Sequence, residues 1–128
     1  MQDEIIAVYE KRNEIEKIVE KLKQLSFEDL QKTLHLEYSL AEKATDLNLL
    51  KQKFTEFNRI KLINKRKHKK AGKFSYDFYY ELDDGSYILY AITLEESKPK
   101  LLNAFHVQRN FRKFRQILMR AYKNVFLG

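Results

Sequence analysis

The sequence predicts an α+β fold: N-terminal helices packed on a curved antiparallel sheet of three to four strands, with a C-terminal amphipathic helix. Three stretches carry this. From Phe74 to Leu82, Phe74, Tyr76, Phe78, Tyr80 and Leu82 occupy every second position, with Ser75, Asp77, Tyr79 and Glu81 between them. That is the period of a half-buried strand. Asp83-Asp84-Gly85-Ser86 then supplies a reversal, with Gly85 suited to positive φ, and Tyr87 to Leu94 is rich in β-branched and aromatic residues. Before Asn58 the apolar residues recur at helical spacing instead. After Asn110 they do so again, through Phe111, Phe114, Leu118, Ala121 and Val125.

Taken in order, residues from about Asp3 to Leu25 read as one amphipathic helix on Ile5, Val8, Ile15, Val19 and Leu22, with a lapse in the stripe at Lys11-Arg12-Asn13. Ser26 is an N-cap, followed by the acidic Glu28 and Asp29 that favour the positive end of a helix. Leu30 and Leu34 continue a short second helix. Thr45 or Asp46 caps another, striped by Leu47, Leu50, Phe54 and Phe57, so 27–57 reads as two or three helical pieces. Arg59 to Ile63 begins a strand, and the basic run Lys65 to Lys73 forms an exposed turn region reversed by Gly72. Pro99 marks the next turn, since it cannot donate to a ladder. For Leu101 to Gln108 two readings compete, a fourth strand or the start of one long helix. The strand is favoured, because Phe105-His106-Val107 prefers a pleated surface and an edge otherwise left bare needs a partner.

The 128 residues fit one domain, and 44% hydrophobic content supports a core. No apolar run approaches the ~20 residues that span a bilayer. The opening MQDEIIAVYEKRNEIEK has no basic segment followed by an apolar one, so a cytoplasmic location is expected; a chain from which an export signal had been removed would read the same. The absence of cysteine excludes disulfides, cysteine-held metals and thiol catalysis. The net charge of +7 is uneven. Residues 1–58 carry 9 Lys and Arg against 12 Asp and Glu, a net of −3, whereas 59–128 carry 16 against 6, a net of +10. A basic half points to an anionic partner, or else simply to a solvated face.

The order Lys51–Phe57, Arg59–Ile63, Phe74–Leu82, Asp84-Gly85, Tyr87–Leu94 and Lys100–Val107 resembles the cystatin-like and nuclear-transport-factor-like α+β superfamily, and within it small bacterial domains of unknown function. The resemblance covers about residues 40–108 and includes no diagnostic catalytic motif. It implies a sheet curled around a helix with a cone-shaped cavity. Such domains serve as dimerisation modules, scaffolds, inhibitors, ligand pockets and, less often, isomerases. Fold does not carry function with it.

Enzymes on that scaffold often pair Asp with His, and the resemblance therefore singles out His106 and Asp77, which share a sheet face if His106 lies on the last strand. The plainer reading is an exposed histidine and a solvated aspartate, and it is the one adopted, with no catalytic residue assigned. His68 lies within the basic run and His35 in the helical region. There is no HExxH, GxSxG or Gly-rich phosphate loop, so no metal and no cofactor are expected. Tyr76, Phe78, Tyr80, Tyr90 and His106 could line a pocket, although an aromatic stripe is more often core. Lys65, Arg66, Lys67, Lys69 and Lys70 on the hairpin, with Arg109, Arg112, Lys113 and Arg120 on the last helix, form the anion- or partner-binding set. The expected function is a non-enzymatic binding or scaffold module engaging an acidic protein or anionic surface, with homodimerisation through the sheet face. Two alternatives remain open: a nucleic-acid-binding accessory protein using the same basic groups, and a small-ligand or isomerase-like pocket. Asp77, Glu81, Asp83 and Asp84 at the other end of the hairpin count against the nucleic acid.

Overall fold

A computed structural model of the chain describes residues 4–42, 46–68 and 72–126. The chain opens with a strand, β1 (Glu4–Tyr9), where the sequence suggested a helix. Ile5 and Val8, three apart, suit a helix and share a strand face only through an irregularity between Ile5 and Ala7, and the available edge of Ile60–His68 (β3) decides: Ile5 lies opposite Arg66 and Tyr9 opposite Ile63. Helix begins only after the lapse noted at Lys11. α1 (Arg12–Leu22) buries Ile15, Val19 and Leu22.

Ser26 does cap, but what it caps is a single 3-10 turn, Phe27–Asp29. Its hydroxyl accepts from the Asp29 N–H while the Asp29 carboxylate accepts from the Ser26 N–H at 2.8 Å, a reciprocal capping box. The chain then makes a two-residue strand, β2 (Gln31–Lys32), before α2 (Leu34–Glu42) and α3 (Leu47–Phe54). Asp46 caps α3 by accepting from Asn48 and Leu49.

The expected meander follows as β3, β4 (Lys73–Glu81), β5 (Tyr87–Ile92) and β6 (Lys100–Val107). Gly72 and Gly85 sit at φ 63° and 88°, as the reversals require. The sheet has six strands in the order β1-β3-β4-β5-β6-β2, not three to four, because β1 adds to one edge and β2 lies parallel to β6 at the other. Segment 101–108 is strand, paired antiparallel to β5 with His106 opposite Ile88. The C-terminal stripe forms α4 (Phe111–Ala121) and a short α5 (Lys123–Phe126). No helix among the described residues is long and apolar enough to cross a membrane.

Two cores result. On one face of the sheet Phe78, Tyr80, Ile88 and Tyr90 pack against Ile15, Val19, Leu36, Leu50 and Phe54 of α1–α3. Each such fully buried side chain contributes roughly 2 kcal/mol. On the other face Leu62, Tyr79 and Tyr87 pack against Phe111 and Leu118 of α4. Both sides of β4 are therefore covered, and Ser75, Asp77 and Tyr79, which alternation assigned to solvent, are buried too. A bulge in β3 serves both cores. Ile60 opposes Tyr80 and Leu62 opposes Tyr79, so Lys61 is left over, with Ile60 facing the helices and Leu62 facing α4.

Candidate functional site

α4 is held at its start and through its first turns by contacts its sequence supplies. Asn110 caps it, accepting from the Lys113 N–H at 3.2 Å, and the Phe111 N–H donates to the Gly85 carbonyl at 2.8 Å, which ties the helix to the β4–β5 turn. The Phe114 ring stands 5.2 Å from Tyr79 and 5.1 Å from Tyr87, in offset aromatic contact. Arg115 reaches from the flank of the helix to both carboxylate oxygens of Glu10, one contact at 2.8 Å.

The opposite side of α4 faces water. Arg112, Lys113 and Arg120 are exposed there, Arg109 is exposed just before the helix, and Arg112, its side chain 85% exposed, approaches Glu81 only at 4.0 Å. Ile117 (63% exposed) and Met119 (36%) lie among them. Of the predicted basic set, these four cations lie together on and just before α4 among the described residues.

The hairpin cations diverge. Strand alternation sends Lys65 and Arg66 to opposite faces. Lys65 Nζ lies 4.5 Å from the Phe74 ring centre and 3.4 Å from Glu95. Arg66 donates through Nε and Nη2 to one oxygen of Asp77, at 3.2 and 2.9 Å. Lys67 is exposed, and Lys69 and Lys70 lie outside the described residues.

Asp77 corrects a reading. It is 2% exposed, not solvated, and it also accepts from Asn64 Nδ2 at 2.7 Å. The Asn64 Oδ1 beside it is buried with no hydrogen-bond partner among the described residues. One strand position on, His68 Nε2 and Ser75 Oγ are 2.7 Å apart. The register that pairs Asn64 with Asp77 and Arg66 with Ser75 assembles this polar row. Its signal in the sequence was two polar positions, 64 and 77, inside otherwise strand-like runs. Burial, and then the Asp77 charge, push the Tyr79 hydroxyl far above its ordinary pKa, so it stays a neutral phenol.

His106 is on the other face, because it opposes Ile88 while Asp77 opposes Ala91, so the two do not form a pair. It belongs to a chain that locks the β4–β5 turn. Gln108 Nε2 lies 3.1 Å from His106 Nδ1, His106 Nε2 lies 2.9 Å from Ser86 Oγ, and Ser86 Oγ donates to Asp84 at 2.5 Å. With Gln108 donating, His106 must donate to Ser86 in turn. The carboxylate thus sits on the serine and the histidine is a donor to it. That order differs from a Ser-His-Asp relay, in which the histidine accepts the serine proton and the carboxylate orients the histidine.

The aromatic stripe lies within the helix-side core. Tyr76, Phe78, Tyr80 and Tyr90 are all buried, and the Tyr80 and Tyr90 hydroxyls donate to the Phe54 and Leu50 carbonyls of α3. Among the described residues no group of three His, Asp or Glu is placed to hold a metal ion. No protein-family model matches the chain, and no curated protein or solved structure matches it.

Proposed function

We propose that the protein is a non-enzymatic binding module that docks an acidic protein on the outer face of α4. One observation carries the reading: Lys113 and Arg120, one turn before and after it, flank exposed Ile117, with Arg112 further round the same exposed side, on a helix whose other side is fixed in the core. Exposed apolar groups rimmed by charge are the make-up of a protein contact, whereas a phosphate backbone rewards the cations alone. The cystatin-like resemblance is compatible with such a role. Sheet-to-sheet homodimerisation is not part of the proposal, since α4 occupies that face.

The test compares two labelled probes by fluorescence anisotropy at low and physiological salt: a helical peptide with leucine on one face and glutamate on the other, and short duplex DNA. The expected result is peptide binding that survives physiological salt and weakens about tenfold both in Arg112→Glu/Arg120→Glu and in Ile117→Ser. Peptide binding indifferent to Ile117→Ser, or DNA binding that outlasts peptide binding as salt rises, overturns the reading; the second outcome favours nucleic acid.

A further inference from the structure

One side of α1 carries Arg12, Glu16, Val19 and Lys23 at spacings of four, three and four, a single helical stripe. Across from it stand Phe57 and Asn58 of the turn before β3, and Lys61. Between these walls lies a cleft of about 470 Å³. Small-molecule sites run roughly 300–1,000 Å³.

The chemistry of the lining is lopsided. Val19 is buried and Phe57 half-buried, giving an apolar floor. Lys23 and Lys61 are exposed and have no ion-pair partner among the described residues. Arg12 donates from Nε to Glu16 at 3.2 Å and from Nη1 to the Ile60 carbonyl at 2.7 Å. Those two bonds fix the guanidinium plane and leave Nη2 with no partner among the described residues. Glu16, already engaged by Arg12, is the one carboxylate against three cations.

Lys61 is there because of the bulge. In unbroken alternation from Ile60 it would point into the core beneath α4. The extra residue gives that place to Leu62 and re-aims the lysine at α1. A strand interruption that turns a cation out of a core and into a cleft lined by two others is a second, independent mark of a site.

We propose that this cleft binds a small aromatic anion, its flat ring laid on Phe57 and Val19 and its phosphate or carboxylate held by Arg12, Lys23 and Lys61. A planar ring on an apolar floor supplies contact area, and a fixed guanidinium with two ammonium groups supplies charge-assisted hydrogen bonds to the anion. The site lies on the α1 side of the molecule and stands independently of the α4 surface.

Amide NMR titration of the full chain tests it with four probes: AMP and phenylacetate, which join ring and anion, adenosine, which has the ring alone, and inorganic phosphate, which has the anion alone. The expected result is saturable binding of AMP or phenylacetate, about tenfold tighter than adenosine or phosphate, with the shifted amides within 12–23 and 55–61. AMP binding with phenylacetate silent identifies the anion as phosphate; the converse identifies it as carboxylate. Lys23→Glu/Lys61→Glu, and separately the milder Lys61→Gln, should weaken binding while the amide spectrum elsewhere is unchanged. Arg112→Glu/Arg120→Glu should leave it intact. Failure of both ring anions to saturate, phosphate binding as tightly as AMP, or shifts that follow the α4 variant instead overturns the proposal.

Discussion

The Tyr80 hydroxyl donates to the Phe54 main-chain carbonyl at 2.7 Å, joining the middle of the sheet to the last residue of α3. Helix-end carbonyls have no partner within the helix, and this one is buried under the aromatic layer, so the phenol satisfies a group nothing else reaches. Tyr90 makes a similar bond to Leu50, 2.6 Å long, but that carbonyl lies inside the helix.

The difference is measurable. Tyr80→Phe leaves an orphaned carbonyl and is expected to destabilise the fold by about 2 kcal/mol. Tyr90→Phe removes a second bond from a carbonyl whose position in α3 lets it accept from Phe54 and should cost about half as much. Urea unfolding of the two variants checks the order; equal effects would show that the Phe54 carbonyl finds another donor.

Arg66 and Asp77 form the most buried ion pair among the described residues, and removing Arg66 leaves the Asp77 charge with the Asn64 amide in place of a cation. Arg66→Ala is expected to cost about 3 kcal/mol. Paired replacement by Arg66→Met and Asp77→Leu should recover part of that loss, because no charge then remains to be buried although the Asn64 amide loses its acceptor. A double variant no more stable than Arg66→Ala would contradict this.

Gly85 is constrained twice. Its φ of 88° disfavours any side chain, and a Cβ placed there would lie 3.2 Å from Nδ2 of Asn110, the side chain whose Oδ1 caps α4. Gly85→Ala is expected to lower stability by about 1–2 kcal/mol. Amide exchange should show faster opening in α4 than in α1, since the strain is applied at the α4 cap.

Several carboxyls are held below their ordinary range: Asp84 by the Ser86 hydroxyl and then its N–H, Asp83 and Glu56 chiefly by hydrogen bonds from Arg59, and Asp29 by the Ser26 N–H. Depressed carboxyl pKa values mean that the unfolded chain takes up protons first. Their stabilisation is complete above the unfolded values, about pH 4, and is lost as pH falls through the folded ones. The melting temperature should therefore decline below about pH 4.5 and keep declining. Asp84→Asn, which still accepts from Ser86, should flatten part of that decline; an unchanged slope would exclude Asp84 from the acid limb.

Much of this architecture could be read from residue order. The Phe74–Leu94 hairpin, its Gly85 reversal and the stripe of α4 follow from period and turn chemistry alone, whereas the strand at Lys100–Val107 needed β propensity and a bare sheet edge to choose it over helix. β1 did not, because Ile5 and Val8 stand at helical spacing and share a strand face only through an irregularity in β1 set by the edge of β3, distant in sequence. β2 was hidden for the opposite reason: two residues carry no period, and their pairing depends on where β6 ends up. The basic groups were visible as a list but not as a surface. Register sends Lys65 to Phe74 and Arg66 to Asp77, leaving the helix cations as the cluster. The α1 cleft was illegible because its defining lysine is placed by a bulge that alternation would have pointed the other way.

α4 seals Tyr79 and Tyr87 with one side while presenting Arg112 and Arg120 with the other. Whatever grips the outside therefore also clamps the aromatic layer beneath. Occupancy and melting become opposed through a single element: the liganded chain should unfold later, by a margin that grows with the logarithm of ligand concentration. Mutations that loosen Phe111 or Phe114 would then weaken capture without touching any residue that meets the ligand.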